Sequence, residues 1–211
     1  MTQQEQTDQF IEKYVRKDKG AYYFWRTLCI IPAYLFYRPV YQGKENIPES
    51  GAVILAANHI HLPDPAFVLL STRRVVRFLA KKELHDSILG FMYRSANTIP
   101  VDRQHGARES LSAGEEALRR GEVVGIFPEG TRNKTLPGRL LPFKFGAVKM
   151  AKETSAPIVP MAYFSKGRPF LDPYRIVIGE AYHVDKDADL VEENEKLKNK
   201  IQELLNRSME L

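Results

Sequence analysis

Residues 52–65 read AVILAANHIHLPDP and place an uninterrupted apolar run directly before a polar cluster. The run over residues 52–57 has the length of a strand and no alternation, which predicts a strand covered on both faces of a sheet. Asp64 and Pro65 then predict a helix start, with the acidic side chain as N-cap and the proline at the first helical position. The stretch therefore has the pattern of a βα unit.

Segments of the same two kinds follow along the rest of the chain. Gly121 is expected to end the helix predicted over residues 107–120. Because strands alternate with helices, we expect an α/β fold with a mostly parallel sheet flanked by helices and right-handed crossovers. The predicted strands are residues 75–80, 99–101, 123–127, 157–164 and 175–179, and the predicted helices are residues 107–120, 146–153 and a C-terminal helix with Leu190, Leu197, Ile201, Leu204 and Leu205 on one face.

Residues 21–41, AYYFWRTLCIIPAYLFYRPVY, hold eight of the aromatic side chains and the only tryptophan. The longest uncharged stretch, residues 27–37, is too short for a spanning helix, which needs ~20 apolar residues. Aromatic ends and flanking cations favour an element lying in a membrane interface. The alternative is a pair of core helices with a bend or break at Pro32. We expect residues 1–42 to form membrane-interface helices and residues 43–211 to form the α/β domain.

Composition excludes several classes of protein. With 44% apolar and 27% charged residues, the chain is neither disordered, collagenous nor a polytopic membrane protein. A single cysteine, Cys29, excludes a disulfide framework and a multi-thiolate zinc site. The net charge of +5 favours anionic partners such as phosphates, anionic lipids or nucleic acid.

The first polar cluster, which follows the strand at residues 52–57, contains His59, His61 and Asp64. A turn through Leu62 and Pro63 would fold the Asp64 carboxylate onto the His59 imidazole, which would fix one tautomer and make a better base. Asp64 as a plain N-cap and His59 as an ordinary loop histidine remain open alternatives. No cysteine or carboxylate set completes a ligand shell with His61, so no metal site is predicted.

The second cluster, residues 127–132, reads FPEGTR and follows a predicted buried strand. A glycine turn exposes backbone N–H groups, and Arg132 adds a fork suited to phosphate. Thr131 stands where a phosphate-binding P-loop requires lysine, which argues against nucleotide hydrolysis. A structural ion pair between Glu129 and Arg132 is the alternative.

A third set of charges, Asp102, Arg103, Lys81 and Lys82, follows two further strands. Together these residues would place cations along the same sheet edge as His59. The chain has no G-x-S-x-G elbow, and Cys29 is far in sequence from any histidine. We therefore expect direct attack by the substrate's own nucleophile, without an acyl-enzyme intermediate.

Taken together, the clusters resemble the glycerolipid acyltransferase family, and within it the bacterial 1-acylglycerol-3-phosphate acyltransferases, over residues 42–184. The N-H-x4-D block corresponds to residues 58–64, the second block to residues 99–103 and the third to residues 127–132. Val159-Pro160-Met161 resembles the fourth block, and Lys81 falls where the family has a basic residue.

The resemblance implies that His59, oriented by Asp64, deprotonates the sn-2 hydroxyl of 1-acylglycerol 3-phosphate, which attacks an acyl thioester to give phosphatidate. Acyl-coenzyme A or acyl-carrier protein would be the co-substrate, with no cofactor and no metal. The implied substrate-binding residues are Lys81, Arg103 and Arg132 at the phosphate, Glu129, Gly130 and Thr131 shaping the pocket, and Pro160 by resemblance alone.

A membrane lipid substrate implies a peripheral or monotopic protein on an anionic surface, at the cytoplasmic face of the cell membrane, and not a nucleic-acid partner. Three alternatives stay open. They are an acyltransferase for glycerol 3-phosphate or another lysophospholipid, a non-catalytic binder of anionic lipid or nucleic acid, and a thioesterase in which water replaces the lipid hydroxyl.

Overall fold

The computed structural model describes residues 3–14, 20–88, 90–101, 108–134, 138–166 and 170–210. Helices and strands alternate along most of this length, as expected. The helices are Gln3–Tyr14 (α1), Gly20–Tyr37 (α2), Asp64–Ser71 (α3), Lys82–His85 (α4), Gly90–Ser95 (α5), Arg108–Arg119 (α6), Gly146–Thr154 (α7) and Leu190–Glu210 (α8), and the strands are Val40–Gln42 (β1), Val53–Ala57 (β2), Val76–Lys81 (β3), Ile99–Val101 (β4), Val123–Ile126 (β5), Ile158–Phe164 (β6) and Arg175–Ile178 (β7).

The strands form a seven-stranded sheet in the order β1-β7-β6-β2-β5-β3-β4. All neighbouring pairs are parallel except β6 and β7, which are antiparallel. The predicted α/β fold with a mostly parallel sheet is therefore confirmed. The edge strand β1 was not predicted, because its three residues directly follow a long aromatic segment and carry no strand pattern of their own.

Each face of the sheet is covered by helices. Helices α6, α7 and α8 pack on one face, where the predicted apolar positions Leu197, Ile201, Leu204 and Leu205 of α8 are buried. Helices α2 and α3 pack on the other face, around Phe67 and Val68. Strand β2 lies between these layers and is fully buried, as its uninterrupted apolar sequence predicts.

Helix α2 is a single helix that continues through Pro32. Residues 20–37 therefore form one helix, whereas the alternative had a pair of core helices with a bend at this proline. Proline removes one helical hydrogen bond, but Ile30, Ala33 and Tyr37 on both sides of it pack onto the α3 layer. The same packing holds both halves of α2 in place.

The opposite side of α2 is apolar and exposed. Phe24, Leu28, Ile31 and Leu35 recur with helical spacing, and each is between 55% and 69% exposed. We call these four residues the α2 apolar face. Among the described residues, no helix is both long enough and apolar enough to cross a bilayer.

Candidate active site

The carboxyl ends of the parallel strands bring the predicted clusters to one edge of the sheet. His59 follows β2, the segment from Phe127 to Arg132 follows β5, and Lys81 ends β3. Strand β4 ends at Val101, and the next residues, Asp102 and Arg103, lie outside the described residues. Because β5 lies between β2 and β3, the histidine and the Gly130 turn are direct neighbours.

His59 and Asp64 converge as the turn between them predicts. His59 Nδ1 lies 2.7 Å from Asp64 Oδ2, and the Asp64 side chain is fully buried. The same carboxylate oxygen accepts hydrogen bonds from the backbone N–H groups of Ile60 at 2.7 Å and His61 at 2.9 Å. A carboxylate only accepts, so Nδ1 carries the ring proton and Nε2 keeps its lone pair.

The role of Asp64 as a helix N-cap is wrong. Helix α3 begins at Asp64 itself, Pro63 occupies the N-cap position, and no side chain caps the helix. The carboxylate points back into the loop because the N–H groups of Ile60 and His61, together with the imidazole, supply its hydrogen bonds. A buried charge that accepts this many donors is held in one place.

The imidazole is also fixed by an aromatic stack. The ring of His59 lies 4.2 Å from that of Phe127 at an interplanar angle of 15°, and Phe127 stacks in turn on Phe78 of β3. These contacts leave 17% of the His59 side chain exposed. The ring is therefore clamped between a carboxylate at one edge and an aromatic face, with its remaining edge available.

Glu129 anchors the loop that carries His59. Its Oε1 accepts the His59 backbone N–H at 2.8 Å, and its Oε2 accepts that of Leu141 at 2.8 Å. Burial raises the pKa of this carboxyl, while the two backbone hydrogen bonds oppose the rise. The predicted alternative, an ion pair with Arg132, is not found in the described part of the chain, because both carboxylate oxygens are directed at backbone donors.

The turn after Glu129 brings a cationic loop to the sheet edge. Gly130 has a φ of +65°, a backbone conformation that favours glycine, and the end of the Lys144 side chain lies 2.9 Å from where a Cβ would stand. Thr131 and Arg132 are exposed. Arg132 lines a cleft of about 560 Å³ together with Lys134, Arg139 and Lys166. Lys81 is half-exposed at the end of β3, with its Nζ 3.9 Å from Glu83.

Pro160 lies apart from these groups. It is buried in the middle of β6, opposite Ala56 of β2. Its carbonyl accepts the N–H of Gly179 at 2.9 Å. Pro160 is thus part of the sheet interior, beside Ala56, which precedes His59 by three residues.

Tyr174 is the residue of the site that the sequence did not reveal. Its buried hydroxyl donates a hydrogen bond to Asp64 Oδ1, the oxygen that does not face His59. Burial, reinforced by the nearby Asp64 charge, raises the pKa of Tyr174 well above its usual range, so the hydroxyl stays a donor. It lies 110 residues from Asp64 in sequence, and no local spacing signals the contact.

The site combines the oriented imidazole of His59 with exposed cationic side chains. Within the described ranges, no group of three or more His, Cys, Asp or Glu side chains is placed to hold a metal ion. An oriented imidazole beside exposed guanidinium and ammonium groups can remove a proton from a hydroxyl group of an anionic substrate.

Comparison with known proteins gives a consistent result. A family model described as acyltransferase matches residues 38–164. The chain is 31% identical over 182 residues to 1-acyl-sn-glycerol-3-phosphate acyltransferase of Bacillus subtilis, covering 78% of this chain and 87% of that protein. It is 33% identical over 133 residues to the enzyme of the same name from Borreliella burgdorferi, covering 61% of this chain and 52% of that protein.

A solved structure shares the fold. The crystal structure of the 1-acyl-sn-glycerophosphate acyltransferase PlsC from Thermotoga maritima superposes with a TM-score of 0.71, at 23% identity, over 93% of this chain and 85% of that chain.

Proposed function

The chain belongs to the acyltransferase family, and from this premise we propose that it transfers a fatty acyl group from an acyl thioester to the sn-2 hydroxyl of 1-acylglycerol 3-phosphate, giving phosphatidate. The observation that carries the proposal is the contact of His59 Nδ1 with the buried Asp64 carboxylate, which leaves Nε2 as a base. The names of the relatives from Bacillus subtilis and Borreliella burgdorferi support this acceptor.

In the proposed mechanism, His59 Nε2 accepts the proton of the sn-2 hydroxyl as the oxygen attacks the thioester carbonyl. The carbon–sulfur bond breaks, and the thiolate of coenzyme A or acyl-carrier protein leaves and takes up a proton from the imidazolium. Asp64 stabilises the imidazolium that forms in between. General-base assistance of this kind contributes about 10²–10⁴-fold, and positioning of the two substrates supplies much of the rest.

The acceptor phosphate is assigned to Lys81, Arg103 and Arg132. Arg132 presents a planar fork suited to phosphate, and Lys81 lies at the same end of the sheet. Glu129, Gly130 and Thr131 shape the turn that carries Arg132. Pro160 is assigned as a substrate-binding residue by resemblance alone. It pairs with Ala56 of β2, the strand that leads to His59, so its contribution to substrate binding would be indirect.

Residues 1–42 are proposed to dock the protein on the cytoplasmic face of the cell membrane as a peripheral or monotopic protein. The α2 apolar face would enter the interface, and Phe91 and Phe170 extend this surface because they pack against Trp25 and Phe36 of α2. The basic charge of the chain would favour anionic lipid. This arrangement gives the active-site edge direct access to a lipid acceptor.

The test is turnover by the full chain of 1-acylglycerol 3-phosphate with acyl-coenzyme A and, in parallel, with acyl-carrier protein. Glycerol 3-phosphate, lysophospholipids with larger headgroups and a sample without acceptor are run beside it. Phosphatidate formation that is lost in His59→Ala supports the proposal. Faster turnover of another acceptor contradicts the proposed substrate, and free fatty acid released at the same rate without acceptor identifies a thioesterase.

A further inference from the structure

The cleft that Arg132 lines contains three further cations that the proposed acceptor site does not use. Lys134 and Arg139 come from the loop after β5, and Lys166 follows the end of β6. In the described part of the chain, no carboxylate lies within ion-pair distance of these three side chains, and no Asp or Glu lines the cleft. A set of cations without countercharge favours an anionic ligand.

The cleft has the size and walls of a small-molecule site. Its volume of about 560 Å³ is within the usual range of ligand pockets. Ile60, Leu62, Phe164 and Leu205 supply apolar wall beside the cations. His61 Nε2 is buried at this wall without a hydrogen-bond partner among the described residues, and buried polar atoms of this kind commonly meet a ligand or water. The ligand should therefore combine an anionic group with an amphipathic arm.

The loop that carries these cations is anchored to the catalytic segment. The Asn133 N–H donates to the His59 carbonyl at 2.7 Å, and its side-chain amide donates to the Arg139 carbonyl at 2.7 Å. On the other side, Gln202 of α8 donates to the Gly138 carbonyl at 2.9 Å. Asn133, Gly138 and Arg139 are thus tied to the segment that carries His59 and to α8.

The number of bonds between the reacting atom and the phosphorus decides which substrate can place its phosphate in this cleft. In the acceptor, only four bonds separate the sn-2 oxygen from phosphorus, so its phosphate must bind beside His59. In the phosphopantetheine arm of coenzyme A or acyl-carrier protein, more than a dozen bonds separate the thioester carbon from the phosphorus. The cleft begins at Ile60 and His61, and the His59 imidazole is not among its lining side chains, which fits the longer arm.

The position of the cleft relative to the helices supports the same choice. Gly138, Arg139 and Leu205 lie on the α8 side, where Gly138 contacts Met209. The α2 apolar face lies on the opposite side of the sheet. A soluble donor can therefore approach from the α8 side while the lipid acceptor enters from the side of α2.

We propose that the cleft lined by Lys134, Arg139 and Lys166 binds the phosphate of the acyl donor's phosphopantetheine arm. This assignment rests on the proposed acyl-transfer function and adds the donor site to it. The cations hold the phosphate, and the apolar wall of Ile60 and Leu62 lies along the pantetheine chain as it leads to His59.

The experiment compares the double variant Arg139→Gln/Lys166→Gln with the full-length wild type in detergent micelles. Binding of non-acylated coenzyme A is measured by calorimetry, with pantetheine, which lacks the phosphate, beside it. Loss of two charge-assisted contacts should weaken the Kd for coenzyme A by about tenfold or more and leave pantetheine unchanged. The control Lys149→Gln/Lys186→Gln removes the same charge from exposed positions outside the cleft and should change neither.

Kinetics separate the two substrates. The cleft variant should raise the KM for acyl-coenzyme A and for acyl-carrier protein by about tenfold while the KM for 1-acylglycerol 3-phosphate stays within twofold. Each of three results for the cleft variant overturns the assignment. They are an unchanged Kd for coenzyme A, a rise in the KM for 1-acylglycerol 3-phosphate instead of the donor, and a rise in the KM for acyl-coenzyme A without one for acyl-carrier protein. Because coenzyme A binding needs no turnover, a wild type that binds it in the cleft but does not acylate 1-acylglycerol 3-phosphate contradicts the proposed function and not the donor site.

Discussion

Tyr174 and Asp64 are joined by a hydrogen bond in the interior of the protein. The tyrosine hydroxyl donates to Asp64 Oδ1, both side chains are fully buried, and Asp64 Oδ2 faces His59. The pair therefore extends the His59–Asp64 contact into the core. In the proposed mechanism Tyr174 is a positioning residue, because it holds the carboxylate that contacts His59.

We predict that Tyr174→Phe lowers kcat by about tenfold, a value set by the loss of one hydrogen bond to a charged group. Without the hydroxyl, Asp64 Oδ1 loses its donor, so the carboxylate is held less firmly against His59. The KM for 1-acylglycerol 3-phosphate should stay near the wild-type value. Rates measured over a range of acceptor concentrations with saturating acyl donor separate kcat from this KM.

Tyr41→Phe is the matched control for Tyr174→Phe. The Tyr41 hydroxyl donates to the Phe67 carbonyl at 2.9 Å, on the same layer of the fold but away from Asp64. This variant should lose comparable stability and keep the wild-type kcat. If the two variants lower kcat equally, Tyr174 has only a structural role.

Asp64→Asn should lower kcat by about 10²–10⁴-fold while the chain remains folded. An amide has one acceptor oxygen, whereas the carboxylate accepts from His59, Ile60, His61 and Tyr174. If the amide nitrogen turns towards His59, it donates to Nδ1 and fixes the tautomer whose Nε2 cannot accept a proton. Single-turnover rates together with circular dichroism separate this outcome from unfolding, and a rate within threefold of wild type would contradict the role of Asp64 as orienting group.

His85 should make the stability of the protein depend on pH in the acidic range. Burial, followed by the Arg94 charge, lowers its pKa from 6.5 to about 4. The unfolded chain then binds more protons than the folded one between these values, so stability is lost as the pH falls from 6.5 to 4. The loss amounts to about 3 kcal/mol at most.

Urea unfolding at several pH values from 4 to 7 measures the contribution of His85. In His85→Gln, whose amide can still pair with Thr98 Oγ1, the part of the slope in this window that comes from His85 should disappear. An unchanged slope would show that other groups cause the acid sensitivity.

Ile31→Asn should weaken binding to anionic liposomes by about tenfold or more, because a side chain of this size loses about 2 kcal/mol of apolar burial in lipid. Ile31 is 69% exposed on the α2 apolar face, so its replacement should leave thermal stability nearly unchanged. Val191→Asn is the matched control, since Val191 is 59% exposed on α8. Flotation of the full chain tests the prediction, and equal losses in the two variants would contradict α2 docking.

The parts of the site that the sequence predicts are those encoded locally. The turn at Leu62-Pro63 made a contact between His59 and Asp64 one of two open interpretations, beside Asp64 as a plain N-cap, and the resemblance to the family favoured the contact. The parallel sheet places Glu129 at the same edge. Here the chain itself sets the geometry, because a strand end and a short loop leave few alternatives.

The parts that the sequence does not predict depend on long-range packing. Tyr174 and Phe127 contact Asp64 and His59 only because β7 and β5 take particular places in the sheet order. Glu129 resembles a partner of Arg132 in sequence, yet its two carboxylate oxygens accept from the backbone N–H groups of His59 and Leu141 instead. Helix α2 continues through Pro32 because tertiary contacts on both sides outweigh one missing hydrogen bond.

The edge strand β1 changes how the amino-terminal segment can be studied. Val40 N–H donates to the Tyr174 carbonyl at 2.8 Å, and Tyr174 N–H donates to the Tyr37 carbonyl at 2.8 Å. A chain cut at residue 42 to obtain a detergent-free enzyme would thus expose the β7 edge and release the backbone of the residue that steadies Asp64. Inactivity of such a truncated protein would report damage to the active site, so single substitutions on the surface of α2 are the sounder means of separating lipid attachment from acyl transfer.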